Sequence, residues 1–397
     1  MELSVDVQYF ILLAALLLVP KMLLRFGIPT ALTAMAFGAL TAHFLGWFQG
    51  DQTLYLLSTL GITSLFLFAG LEVDVDELKR DANVLLKNLY TSLTVIFLSA
   101  WGLNVALGLP FRAALVLSLG LTTPSTGFIL NSLKGFHFTP NQEYWIRSAA
   151  IAKEIVALGL LFFTLQSESV SEFSISLAVI LAMIFLLPVV FRFFLKRIAP
   201  FAPDSEVAFL ILIALLCGVI TRNLGTYYLV GAFLVGVTAA RFTHFISHKK
   251  SKKLLYAVGM FFSFFVPFYF FKAGLSITQS MFTLEGVFYG LAFLLIFLPV
   301  RYLSVVASIK LFLPNSWEDR NEISVSLLPT LIFGLVIASI LREQFSIPSS
   351  VISGLVLYTV VASVIPSLVM RKAPPEEYDS TLRWESGLTE PLAPEEM

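Results

Sequence analysis

SAAIAKEIVALGLLFFTLQ, residues 148–166, is apolar enough to be a transmembrane helix, yet it carries Lys153 and Glu154 side by side. Glu154 is the one acid of the chain that falls well inside an apolar span. A bare carboxylate in hydrocarbon is costly, so it must be paired, protonated or holding an ion. A structural ion pair between helices is the plain alternative. Ionisable residues in such spans generally face a cavity or a pathway, which makes Glu154 and Lys153 the first candidates for ion and proton binding.

The rest of the chain has the same character. Of its 397 residues, 57% are hydrophobic and 13% charged, which excludes an ordinary soluble domain and fits a polytopic membrane protein with short loops. The 38 Phe serve as lipid-facing and packing residues. A single cysteine, Cys217, excludes a disulfide or a cysteine metal site within one chain. No HExxH motif, P-loop or GxGxxG motif occurs, so the expectation is no metal, no cofactor, no nucleic acid and no enzyme activity. Residues 371–397 are acidic and have little to bury, which predicts a disordered tail. The N-terminus lacks a basic leader region, so the first span is expected to be retained.

Thirteen apolar spans are legible: 7–24, 29–45, 54–71, 89–107, 113–133, 148–165, 175–194, 207–223, 227–240, 254–275, 286–311, 323–341 and 351–369. Twenty Lys and Arg residues follow odd-numbered spans, against three (Arg112, Arg222 and Arg342) after even-numbered ones. By the positive-inside rule the N-terminus is outside and the C-terminus cytoplasmic. Three basic residues fall inside spans: Lys153, Lys272 and Arg301. Lys272 is near a span end, where snorkelling is the plain alternative.

The chain also repeats itself. GIPTALTAMAFGALTAHF at 27–44 compares with GTYYLVGAFLVGVTAARF at 225–242, LFLFAGLEV at 65–73 with the segment around Ala273–Leu275, and LTTPSTGF around Pro124 with LLPTLIFG around Pro329. The order is kept at a nearly constant offset. Seven spans, an odd number, separate the partners, so the copies run in opposite directions, the signature of secondary transporters. Repeat one is 7–165, the connector helix 175–194 and repeat two 207–369. Both repeats carry a proline-marked span. Thr122, Thr123, Pro124, Ser125 and Thr126 mark span five, and Pro329 and Thr330 mark span twelve. Proline removes a donor and clashes with an upstream carbonyl, and hydroxyls can satisfy the freed backbone or line a pathway. Two discontinuous helices crossing at matched positions point to the binding site of a transporter.

These residues carry a resemblance. FLFAGLEVDVDELK at 67–80, the TTPST stretch, SAAIAKEIVALGLLFF at 148–163 and PFYFFKAGLSI at 267–277 resemble the monovalent cation:proton antiporter superfamily, in its branch of bacterial sodium/proton antiporters and Kef-type potassium efflux membrane domains. The resemblance covers about residues 5–370. It implies an all-α membrane fold of about 13 transmembrane helices, with a core of spans 4–6 and 11–13 and a scaffold that forms a homodimer. It further implies elevator-type alternating access in the inner (plasma) membrane of a bacterium, with a monovalent cation, protons and membrane lipid as partners. The family's ion-binding acid aligns with Glu154. Its usual Asp is a Glu here, and Lys153 replaces the preceding Asp, Asn or Gln. The family's basic residue of span eleven aligns with Arg301, and a carboxylate–arginine clamp between Arg301 and Glu154 is the expectation.

One acid against three cations leaves the sign of the substrate open. The first reading is a proton-coupled antiporter of sodium or potassium, with Glu154 binding cation and proton in turn and Lys153 as a possible proton carrier. The second keeps the fold and has Lys153 and Arg301 bind an anion or small organic acid. The third is a channel or sensor on the same scaffold.

Overall fold

The computed structural model describes residues 4–370 except 25, 27, 74–78, 134–135, 137, 167–169, 203–204, 226, 244–247 and 278–282. The acidic tail after residue 370 and Asp74 of the 67–80 motif therefore lie outside the described residues.

Helix covers every apolar segment. In chain order these are α1 (Val5–Leu24), α2 (Thr30–Leu40, extended by a π-turn Thr41–Leu45), α3 (Gln52–Leu71) and α4 (Ala82–Leu107). An interrupted pair follows, α5a (Phe111–Thr122) and α5b (Thr126–Leu133), then α6 (Pro140–Gln166), α7 (Val170–Phe193), α8 (Glu206–Asn223) and α9 (Tyr227–Thr243). The chain closes with α10 (His248–Leu275), α11 (Leu284–Phe312), a second interrupted pair α12a (Arg320–Ser326) and α12b (Leu331–Gln344), and α13 (Ser349–Val369). Eleven segments are long and apolar enough to cross a membrane, and Thr30–Leu45 and Leu229–Phe242 are shorter apolar helices. The described residues contain no strand, as expected where each backbone polar group must be satisfied within its own segment.

Local chemistry sets the helix ends. Asp51 caps α3 by accepting from the Leu54 N–H at 2.8 Å, and Thr283 caps α11 through the Gly286 N–H at 3.1 Å. Pro29, Pro110 and Pro348 sit just before α2, α5a and α13, where their missing N–H costs nothing. Gly108 ends α4 in the left-handed conformation at φ 63°. The helix α6 starts at Pro140, eight residues before the apolar span 148–165 begins, because its first two turns are polar and periodicity in hydrophobicity cannot register them.

The helices form two bundles. In one, α2 and α3 pack against α9 and α10, with α8 against α9 and α1 against α2. In the other, α4, α5 and α6 pack with α11, α12 and α13. The main bridge between them is α3 against α5b, while α7 touches both bundles. This is the division into scaffold and core that the resemblance implies.

Two contacts in the first bundle are close and reciprocal. A Cβ at Gly38 of α2 would lie 2.0 Å from Phe271 O of α10, and one at Gly274 of α10 would lie 2.0 Å from Met35 O. Likewise a Cβ at Gly70 of α3 would lie 2.3 Å from Phe233 O of α9, and one at Gly236 of α9 would lie 2.2 Å from Leu67 O. Only glycine lets the backbones approach this far, the small-residue packing of membrane helices. Gly38 is the sequence partner of Gly236, and Gly70 that of Gly274. The α2–α10 contact therefore recurs as the α9–α3 contact.

Candidate ion-binding site

Seven prolines lie in the apolar spans away from helix starts, and only two interrupt a helix. Pro20, Pro188, Pro267, Pro299 and Pro366 sit within continuous helices. At Pro124 the chain leaves the helix, with Thr123 extended at φ −83°, ψ 126°. Helix α12a stops after Ser326 and α12b resumes at Leu331, with Pro329 between them. The two gaps meet: the Ser125 N–H donates to Pro329 O at 2.9 Å. Each break thus supplies a partner that the other lacks.

The crossing brings together four helix ends inside the protein, the C-terminal ends of α5a and α12a and the N-terminal ends of α5b and α12b. Such ends carry unpaired carbonyls and N–H groups and the partial charges of the helix dipole. Glu154 answers one of them. Its Oε2 accepts from the Thr126 N–H, the first residue of α5b, at 3.1 Å, and the residue is 2% exposed. The Thr126 hydroxyl faces the same carboxylate without a hydrogen bond of ordinary geometry.

Arg301 answers the opposite ends. Its Nη1 donates to Leu328 O at 2.5 Å and its Nη2 to Leu327 O at 2.6 Å, at the end of α12a. Nη1 also donates to Tyr358 Oη at 3.2 Å, and that hydroxyl donates to Leu121 O at 2.8 Å, at the end of α5a. One guanidinium thus serves both C-terminal ends, the second through a phenol.

The expected clamp between Arg301 and Glu154 is therefore corrected. Arg301 is buried, at 4% exposed, but it spends its planar fork on carbonyls. The negative end of a helix attracts it as a carboxylate would. No Lys or Arg pairs with Glu154 among the described residues.

Lys153 is turned to a different face of α6, as neighbours about 100° apart on a 3.6-residue helix must be. It lines a small cavity of about 30 Å³ with Thr122, Thr123, Pro124, Arg301 and Ser324, a cavity that Glu154 does not line. The span that carries both residues therefore separates them. Thr122 is not spare, since its hydroxyl donates to Ser118 O at 2.6 Å within the helix. Thr123, Ser125, Thr126 and Thr330 are different: all are buried, and none of their hydroxyls has a hydrogen-bond partner. Of nine such buried side-chain atoms among the described residues, these four and Ser324 Oγ lie at the breaks or within a turn of them. Unused oxygens are thus concentrated where an ion would need coordination.

Lys272 does not join the crossing. Its Nζ lies over the Tyr55 ring, 3.8 Å from the centroid. It faces a cavity of about 670 Å³ that it lines together with Tyr55, Arg222, Ser339, Arg342 and Glu343. The C-terminal ends of α8, α10 and α12b and the start of α3 meet there, so they share one face of the protein. No residue of α6 or of either break lines this cavity. On the other face the starts of α6 and α12a are tied by Gln142 Nε2 to Asp319 Oδ1 at 2.8 Å and by Asn141 Nδ2 to Ser316 Oγ at 3.3 Å. Tyr144 also donates to Asp81 there.

Tyr358 is the residue of the site that sequence reasoning missed. A tyrosine in the middle of an apolar span was the available signal, since a buried phenol needs a partner.

The sequence profile described as "Sodium/hydrogen exchanger, transmembrane" matches residues 11–371. The chain is 26% identical over 382 residues to probable Na(+)/H(+) antiporter 3 of Methanocaldococcus jannaschii, covering 91% of this chain and 95% of that protein. It is 23% identical over 288 residues to the Na(+)/H(+)-K(+) antiporter GerN of Bacillus cereus, covering 69% of this chain and 73% of GerN. The solved structure of the sodium proton antiporter MjNhaP1 from M. jannaschii at pH 8 superposes with a TM-score of 0.67 at 15% identity, over 94% of this chain and 97% of that one.

Proposed function

The chain belongs to the transmembrane sodium/hydrogen exchanger family, and on that premise we propose that it exchanges sodium or potassium for protons, with Glu154 binding cation and proton in turn. The observation that carries this reading is the setting of Glu154: a buried carboxylate with no basic partner among the described residues, held at a helix N-terminus beside unused hydroxyls. The Thr126 N–H and the positive end of α5b stabilise its charged form, and a desodiated carboxylate in so dry a place recruits either a cation or a proton. One group that must hold one or the other, but not both, couples their movements. Relatives named as Na(+)/H(+) antiporters, one of them also for K(+), support the substrate class.

Alternating access follows from the two bundles. In this conformation the 670 Å³ cavity lies between elements of both bundles on the face of Arg222 and Arg342. We take the core bundle to slide as a body against the scaffold, carrying the crossing from one face to the other. The reciprocal glycine contacts support the inverted repeat on which such a motion rests. The Lys/Arg bias supports an outside N-terminus, a bacterial inner membrane is the setting by resemblance, and the scaffold is the surface for a homodimer.

Proton flux in proteoliposomes, driven by a panel of sodium, potassium and anion salts, tests the reading. Proton movement on adding sodium or potassium that disappears in Glu154→Gln is the expected result. Flux that follows the anion instead, and survives in Glu154→Gln, would overturn it. Cysteines placed at Gln49 and Lys250 test the topology, since reagent added to one side should label only one of them.

A further inference from the structure

The small cavity on the Lys153 face of α6 holds two cations and no acid. None of its lining residues is Asp or Glu. Arg301 keeps its proton under all ordinary conditions. Lys153 has no hydrogen bond or ion pair among the described residues. The hydroxyls of Thr123 and Ser324, which are 2% and 0% exposed, line the same space without partners. All of these groups can donate a hydrogen bond, and two of them are basic side chains. Donors that converge on a buried space without an acid describe a site for an anion. The space of about 30 Å³ has room for about two water molecules, so its occupant is a small ion.

We infer that this cavity binds a chloride ion, held by Lys153 Nζ and the Thr123 and Ser324 hydroxyls in the field of Arg301. Water alone would fill the space but leave Lys153 without a counter-ion, since Arg301 is already held by the Leu327 and Leu328 carbonyls. The anion cancels the Lys153 charge and so relieves its repulsion of a cation at the neighbouring Glu154. The site stands on its own geometry, and its test reads binding, so failure of cation exchange would leave it untouched.

Thermal unfolding of the purified full-length protein in detergent, with sodium gluconate replaced stepwise by sodium chloride at constant ionic strength, is the experiment. The expected result is a saturable rise in Tm that bromide reproduces, with bromide anomalous scattering located beside Lys153. Lys153→Gln should lose the rise. A Thr123→Val, Ser324→Ala double variant, which keeps the lysine, should raise the half-saturating chloride concentration about tenfold. A wild-type Tm indifferent to chloride overturns the inference, and so does an equal rise in Lys153→Gln. If Lys153→Gln fails to fold, an unchanged half-saturation in the double variant overturns it instead.

Discussion

The two interrupted helices are broken in the same way and compensated in opposite ways. At the first break the N-terminal end of α5b receives a carboxylate, Glu154, while the C-terminal end of α5a receives only the neutral phenol of Tyr358. At the second, the C-terminal end of α12a receives the guanidinium of Arg301, while the N-terminal end of α12b has no side-chain cap. Glu154 and Arg301 are therefore assigned to helix ends and not to each other. A guanidinium bound to carbonyls is permanent and structural, since it has no proton to release. A carboxylate bound by a single N–H and facing unused hydroxyls still has lone pairs for an ion or a proton. On the proposed reading the exchange chemistry lies at the first break and the second break is the mechanical joint.

That comparison can be broken. Glu154→Gln should have the largest effect, reducing cation-driven proton flux in proteoliposomes to the level of empty vesicles, because Glu154 is the carboxylate that meets a helix end at the crossing. Flux that persists at an appreciable rate would move the chemistry elsewhere. Arg301→Ala should leave flux secondary to damage: losing two charge-assisted hydrogen bonds and stranding buried carbonyls should cost about 3–5 kcal/mol in detergent unfolding. Adding Glu154→Gln to Arg301→Ala should recover nothing, with the two effects summing to within about 0.5 kcal/mol as for independent sites. Recovery would restore the direct clamp that the crossing geometry replaces.

Smaller changes sharpen the picture. Tyr358→Phe removes the link from Arg301 to Leu121 and should cost about 1 kcal/mol, measured by the same unfolding, with exchange surviving. A cost as large as that of Arg301→Ala would mean that the phenol is the principal brace of both breaks. Lys153→Gln should disturb exchange least, shifting apparent cation affinity by no more than about fivefold, because its side chain lies on a different face of α6 from Glu154 and coulombic effects weaken with distance. Abolished exchange in this variant would show that the two neighbours share one site after all.

Much of this was legible in the sequence because a membrane imposes a simple rule. Every backbone group in hydrocarbon must be satisfied within its helix, so apolar run length alone marks helices, and charge between runs marks sides. The same rule made Glu154 conspicuous, since no inexpensive reason exists for an acid there. Helix starts were less legible: the polar first turns of α6 carry no hydrophobic signal, although Pro140 marks the position where they begin.

The sequence by itself determined an all-helical membrane protein, two proline-marked spans and the candidate acid. It did not determine which prolines break a helix. Pro124 and Pro299 are chemically the same residue, yet α11 runs straight through Pro299 while the chain opens at Pro124. The opening is held by a donor from one break and an acceptor from the other, Ser125 N–H and Pro329 O, which are 204 residues apart. The partners of the buried charges were equally out of reach. Sequence pattern pairs Arg301 with the one acid that lies well inside an apolar span, but carbonyl groups carry no sequence identity, and every residue supplies one. Only the tertiary structure decides which carbonyls are left unpaired at a helix end, and those are the groups that took the guanidinium.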